Sequence, residues 1–266
     1  MMAFSKKYNR SLHAHSSKGT TSDDRFMPKG YVQAFASLRQ LVLTEKLDGQ
    51  NNCLSEMGVF ARSHATPSQL PWDKPLIERW QLIKNQLKGL EVFGENMYGI
   101  HSIGYKKLSS FFYVFGIREK EQWLSWEEVK FYAEVLDFPT VPEIIEINKP
   151  LSAFTSTYKN DEEALQAWIT DQLDCSWENY VDTAGQLGGY DVHSLQPCCE
   201  GFVIRNADSF PANSGLVDVA NNEFSDLFKL VRANHVKTDQ HWVKNWQPAT
   251  LQDYQTYQWH AYEYYK

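Results

Sequence analysis

Residues 41–51, Leu-Val-Leu-Thr-Glu-Lys-Leu-Asp-Gly-Gln-Asn, begin apolar and end in a burst of polar side chains. The lead-in Leu41-Val42-Leu43 reads as a buried strand, and Gly49 permits a tight turn that a side chain would obstruct. Lys46 is thereby delivered to a strand end, where a side chain is held more firmly than on a loop. A lysine placed there can act as a covalent nucleophile only when its amine is neutral, and an unperturbed amine is roughly 0.04 per cent neutral at pH 7. Burial or neighbouring cations must then depress its pKa, so this reading requires Arg or Lys partners from elsewhere in the chain. A surface Lys-x-Asp ion pair beside a glycine turn is equally consistent with these residues alone.

The chain of 266 residues suits one large domain or two small ones, and 42% hydrophobic with 14% aromatic residues is enough for a sizeable core. It contains no run of about 18 apolar residues, and residues 1–10 lack the apolar segment of a signal peptide, so the expected compartment is the cytoplasm, with no membrane association. Cys53, Cys175, Cys198 and Cys199 show no Cys-x-x-Cys spacing, which disfavours a zinc or disulfide site. The net charge of −7 argues against a protein that coats nucleic acid non-specifically, yet leaves room for a local basic groove. His13, His15, His64, His101, His193 and His235 are scattered without metal-ligand spacing and read as loop or core residues, with His101 beside Lys106 and Lys107 the one that reads as a candidate ligand contact.

Residues 1–40 read as a polar loop region packed on the domain, and 52–63 as a hairpin turning at Glu56-Met57-Gly58 that returns Arg62 towards Lys46. A helix opens at Asp73 and Pro75 and carries Leu76, Trp80, Ile83 and Leu87 at helical spacing. Leu90 to Asn96 reads as a strand ending at Glu95, and Ser110 to Ile117 as a strand too apolar on both faces to be an edge. Ser125 with Glu128 forms a capping box before a helix to about Leu136. A polar connector over 148–160, a helix over Asp161 to Leu173, a loop over 174–197, strands at Glu200–Arg205 and Leu227–Arg232, and a helical tail from Thr250 complete the expectation.

Taken in order, Glu45-Lys46-Leu47-Asp48-Gly49-Gln50-Asn51, Arg62, Phe93-Gly94-Glu95-Asn96-Met97-Tyr98-Gly99, Phe111-Phe112-Tyr113-Val114-Phe115, Glu200-Gly201-Phe202-Val203-Ile204-Arg205 and Phe228-Lys229-Leu230-Val231 resemble the motifs of the covalent nucleotidyltransferase superfamily, specifically the ATP-dependent RNA ligases. One Lys-x-Asp-Gly is a weak signal; five motifs in order, from about residue 42 to 232, are a strong one. The resemblance implies an α+β nucleotidyltransferase domain over 1–266, with antiparallel sheets flanked by helices around an AMP pocket. It implies ATP as AMP donor, Mg²⁺ or Mn²⁺, and RNA 3′-hydroxyl and 5′-phosphate ends, at a nick or in single strands, joined through lysyl-AMP and RNA-adenylate, with a possible end-healing kinase or phosphatase as partner.

By the same resemblance Lys46 is the nucleophile. Glu45, Asn51, Arg62, Glu95, Phe115, Glu200, Lys229 and Arg232 bind nucleotide, Glu95 holding the ribose hydroxyls, Phe115 stacking on adenine and Lys229 holding the α-phosphate while keeping Lys46 uncharged. Asp48 and Glu200 help bind the hydrated metal. DNA ligases and capping enzymes have Arg where this chain has Asn51, and residues 233–266 are too few for their OB domain. The family's last motif commonly carries a second lysine where this chain has Val231, so Arg232 or Lys237 substitutes, or ATP use is weakened. A pocket that binds nucleotide or RNA ends without sealing, and a DNA-joining nucleotidyltransferase, are the alternatives. Neither Gly-x-x-x-x-Gly-Lys-Ser/Thr nor Gly-x-Gly-x-x-Gly occurs, so a P-loop or dinucleotide fold lacks its phosphate cradle.

Overall fold

The computed structural model describes residues 8, 11–15, 17–20, 22, 24–28, 40–62, 66–147, 180–214, 226–233, 235, 244 and 246–252. The expected connector over 148–160, the helix over 161–173 and the tail beyond 252 lie outside them. The described chain is mixed α+β and is built mainly from two antiparallel sheets. No described helix is long and apolar enough to cross a membrane.

The first sheet holds β1 (Leu12–His13), β13 (Leu227–Val231), β11 (Gly201–Asn206), β2 (Leu41–Lys46) and β9 (Glu143–Ile147), in that spatial order. Leu41, Val42 and Leu43 are fully buried because β2 lies between two other strands and is covered on both faces. Among the described strands of this sheet β1 is the parallel one, pairing Leu12 with Phe228 and His13 with Lys229. Part of the expected N-terminal loop is therefore a sheet edge.

The second sheet runs β12 (Phe210–Pro211), β8 (Gln122–Trp123), β7 (Phe112–Glu119), β5 (Leu90–Asn96), β3 (Gln50–Ser55) and β4 (Gly58–Ala61). The expected hairpin is present as β3 and β4. Behind this sheet lie α1 (Lys74–Ile83) and α2 (Trp126–Val135), whose Leu76, Ile83, Trp126, Val129 and Ala133 join Val92, Val114 and Ile117 in one core. The capping box forms: Ser125 Oγ accepts from the Glu128 amide, and Glu128 accepts from the Ser125 amide at 2.9 Å. Such a cap stabilises a helix by about 1 kcal/mol. A third, two-stranded ladder joins β6 (Ile103–Tyr105) to β10 (Gly189–Asp191), a strand inside the segment expected to be loop. Three residues are too few for a period to show in sequence.

Arg205 on β11 fastens the two large sheets together. Its guanidinium donates to the carbonyls of Leu124 at 2.7 Å and Phe115 at 3.3 Å, and lies over the rings of Trp126 and Phe210. A charge buried this deeply is tolerated because carbonyls and aromatic faces replace its water. Burial still lowers its pKa, to about 10.

Candidate functional site

Sheet register sets which side chains share a face. Lys46 pairs with Gly201 and Gly201 with Val231; one step along, Thr44 pairs with Val203 and Val203 with Lys229. Paired strand residues point to the same face, so Lys46, Val231, Thr44, Val203 and Lys229 form one surface, extended by His13 beside Lys229. Gly201 lets the strands close up at its centre, since a Cβ there would collide with the Leu230 carbonyl. Successive residues alternate, so the Glu45 carboxylate turns to the opposite face, where it accepts from Tyr180 Oη at 3.0 Å and the Gln186 amide at 3.2 Å. Arg232 likewise leaves the Val231 face and pairs with Asp191 at 3.5 Å.

The turn after Lys46 leads into the second sheet. Gly49 is required there, because a Cβ would sit 2.6 Å from the Asn96 carbonyl and 2.9 Å from Met97 Sδ. Its amide donates to Glu95 Oε1 at 3.1 Å, and Glu95 pairs across the ladder with Asn51. Asn51 Oδ1 is buried with no hydrogen-bond partner. Beneath them Asp73 accepts from Gln50 at 3.0 Å and Asn96 at 2.8 Å, anchoring the ends of β3 and β5.

Electrostatics tie the two sheets into one site. Lys46 Nζ lies 2.6 Å from Glu200 Oε1. Burial would lower the Lys46 pKa, but Glu200, Glu95 and Asp48 outweigh it and hold the ammonium above its ordinary value. The expectation that neighbouring cations keep this amine neutral is thus reversed here, because a carboxylate is in direct contact. Lys229 is the depressed amine: burial, then Lys46, lower its pKa to about 8. Burial raises Glu95 to about 8 against the pull of Lys46. Arg62, exposed at the end of β4, acts on Lys229 and on Tyr8.

Asp48 is the most heavily bonded carboxylate of the group. Its Oδ2 accepts from the Ser102 amide, Ser102 Oγ and the Ile103 amide, all between 2.7 and 2.9 Å. Its own amide donates to Tyr105 Oη at 2.9 Å. Burial would raise its pKa, but His235, His101 and Ser102 more than offset this and hold it below the usual carboxylate range. Its Oδ1 faces His235 Nε2 at 3.6 Å and His101 Nδ1 at 3.8 Å. His235 Nε2 also lies 3.3 Å from Glu200 Oε1. Asp48, Glu200 and His235 each offer one donor atom, all within 4.8 Å of one another. Glu200 Oε2 and His235 Nδ1 are buried without hydrogen-bond partners. This donor set fits a divalent cation.

Two aromatic contributions close the site. Phe115 is half-buried between the two hydrophobic clusters. Tyr8 sets its ring 5.3 Å from Phe115 at 67° and also packs on Phe93 and Trp123. Burial first, and Glu95 among its neighbours, push the Tyr8 hydroxyl up to about 12.

The family model for RNA ligases matches residues 39–231, which contain both large sheets apart from β1 and nearly every side chain above. The chain belongs to the RNA ligase family. Among solved structures it is similar to an archaeal ATP-dependent RNA ligase in form 1, at 12% identity and a TM-score of 0.44 over 85% of this chain and 48% of that one. It is similar to the same archaeal ligase in form 2 at 13% identity and a TM-score of 0.43, over 76% and 46%. A Naegleria gruberi RNA ligase with PPi gives 16% identity and 0.41, over 88% and 62%. At that distance the assignment rests on the family match. The chain spans about half the length of the archaeal structures. Among curated proteins none matches it.

Of the residues singled out in the sequence, Lys46, Asp48, Glu95, Glu200 and Lys229 act electrostatically on one another, Arg62 reaches Lys229, and Asn51 pairs with Glu95. Glu45 and Arg232 are turned away. Lys237 lies outside the described residues. Sequence reasoning missed Tyr8, His13 and His235. His235 was set aside with the other histidines for want of ligand spacing, but its partners Asp48 and Glu200 are brought to it by the fold. Its position just beyond the last strand of the motif series was the available signal.

Proposed function

We propose that this chain is an ATP-dependent RNA ligase that joins a 3′-hydroxyl end to a 5′-phosphate end through lysyl-AMP and RNA-adenylate intermediates. The observation that carries this reading is the convergence of Lys46, Glu200, Glu95, Asp48 and Lys229 from strands and turns of both sheets. In the first step Lys46 Nζ bonds to the α-phosphorus of ATP and the bond to the pyrophosphate oxygen breaks. Before attack the amine gives up to solvent the proton that now binds it to Glu200.

The remaining side chains divide the work by chemistry. Lys229, its pKa lowered to about 8, still carries its charge in most molecules at pH 7 and offers it where negative charge accumulates on the phosphate. Glu95, with Asn51 beside it, offers a carboxyl to ribose hydroxyls, and Phe115 offers a ring to the base. A divalent cation on Asp48 and Glu200 would supply further positive charge against the phosphates. AMP then passes to the RNA 5′-phosphate, and the 3′-hydroxyl displaces it.

Incubation with labelled ATP and Mg²⁺ or Mn²⁺ tests this. An acid-stable protein–AMP adduct, absent in Lys46→Ala, is expected, followed by sealing within a panel of nicked, single-stranded and hairpin RNAs carrying 5′-phosphates. An unlabelled wild-type protein would overturn the reading. A second reading, a nucleotide- or RNA-end-binding pocket that does not seal, is favoured by Val231, which is buried on the same face as Lys46 and Lys229 where the family carries another cation. Adduct formation with no RNA joined would select it. Sealing of nicked DNA would instead favour a DNA-joining enzyme, against which Asn51 weighs.

A further inference from the structure

The three donors at the cation site are not the all-oxygen set that magnesium prefers. Mg²⁺ is hard, keeps several waters and takes carboxylates and phosphates, whereas imidazole nitrogen suits first-row transition cations. Here an imidazole sits between the two carboxylates. His235 Nε2 is 3.3 Å from Glu200 Oε1 and 3.6 Å from Asp48 Oδ1. Neighbouring ligands on an octahedron with bonds of about 2.1 Å lie about 3.0 Å apart; His235 is close to that spacing from each carboxylate, and the three donor atoms all lie within 4.8 Å of one another.

The surroundings hold the donors ready. Asp48 Oδ2 is fixed by three hydrogen bonds from Ser102 and Ile103, which leaves Oδ1 as the oxygen facing inward. The His235 and Glu200 side chains are 8% and 7% exposed. Each carries one buried polar atom with no hydrogen-bond partner, Nδ1 and Oε2. Glu200 Oε1 is also the oxygen that holds Lys46, so a ligand on it competes directly with the ion pair.

We propose that His235 is the nitrogen ligand of the divalent-cation site it forms with Asp48 and Glu200, and that it makes this site select Mn²⁺ and Co²⁺ over Mg²⁺. The proposal deepens the ligase reading by naming the cation class, and it is measured without ATP or RNA, so its failure leaves the adenylylation test untouched. His101, whose Nδ1 is 3.8 Å from Asp48 Oδ1, is the rival nitrogen.

Titration of the nucleotide-free protein with Mn²⁺, followed by loss of the free-ion electron paramagnetic resonance signal and by Mg²⁺ competition, gives both affinities. Mn²⁺ is expected to bind about tenfold or more tighter than Mg²⁺ in the wild type and His101→Ala, and with little preference in His235→Ala. Pulsed resonance on the bound Mn²⁺ is expected to show a directly coordinated ¹⁴N in the wild type and His101→Ala but not in His235→Ala. Absence of bound Mn²⁺, absence of ¹⁴N coupling in the wild type, or coupling lost only in His101→Ala overturns the proposal. The wild-type and His101→Ala spectra together decide the matter even if His235→Ala does not fold.

Discussion

Lys46 and Lys229 lie on one face of the same sheet, and their pKa values are displaced in opposite directions. Glu200 in contact with Lys46 makes the difference. Trace labelling with an amine-selective acylating reagent at pH 8, read by mass spectrometry, is therefore expected to modify Lys229 ahead of Lys46. At that pH about half of the Lys229 amines are neutral. In Glu200→Gln the order is expected to narrow or invert, because the carboxylate that holds the Lys46 proton is gone.

Lys229 also sets a pH dependence of stability. Its folded pKa of about 8 lies below the ordinary 10.5, so the unfolded chain binds the extra proton between those values. Its stabilising contribution is full above pH 10.5 and is lost as pH falls through about 8. Lys229→Met is expected to raise stability at pH 7 by on the order of 2 kcal/mol while lowering adenylylation at least 100-fold. Thermal melts from pH 7 to 10 check the first, with the wild type gaining on the variant as pH rises.

Glu95 behaves in the reverse sense. Its pKa is raised from 4.5 to about 8, so the folded state holds the proton more tightly. The stability it contributes is full below pH 4.5 and lost as pH rises through about 8. Glu95→Gln keeps an acceptor for the Gly49 amide and is expected to melt higher than the wild type at pH 8 to 9 in the nucleotide-free protein. Convergence of the two curves near pH 5 is the accompanying signature.

Arg205→Met is expected to cost about 2–4 kcal/mol in urea unfolding, since it strips donors from the buried carbonyls of Leu124 and Phe115. Arg205→Lys should recover little, because a single ammonium does not reproduce the planar fork. If Phe115 receives the base, both variants also raise the KM for ATP more than they lower kcat.

The sequence made the strands of the site legible wherever an apolar run ended in a polar residue. Lys46 after Leu41–Leu43, Glu95 after Val92-Phe93, and Lys229 within Leu227–Val231 all stand where that reading put them. Ser125 with Glu128 marked a helix start through bonds spanning three residues, a range a sequence shows directly. Charge states were not legible. The Lys46 ammonium depends on a contact with Glu200, more than 150 positions away, and the sign of its shift follows from a distance of 2.6 Å. His235 and Tyr8 went unread for the same reason. The parallel strand Leu12–His13 was invisible because two residues in a polar stretch carry no period.

That short strand has a consequence for how the protein is made. Among the described residues Leu12 and His13 form a two-residue ladder with Phe228 and Lys229, at the far end of the matched region, while His13 also bridges Phe26 close by in the chain. During synthesis the amino-terminal strand emerges early, with the bridge to Phe26 within local reach, and must wait for its β13 partner until almost the whole chain has left the ribosome. A chain stalled before residue 227 has Lys46 but neither Lys229 nor the edge that β1 completes, so incomplete translation products carry the nucleophile without the cation that serves it.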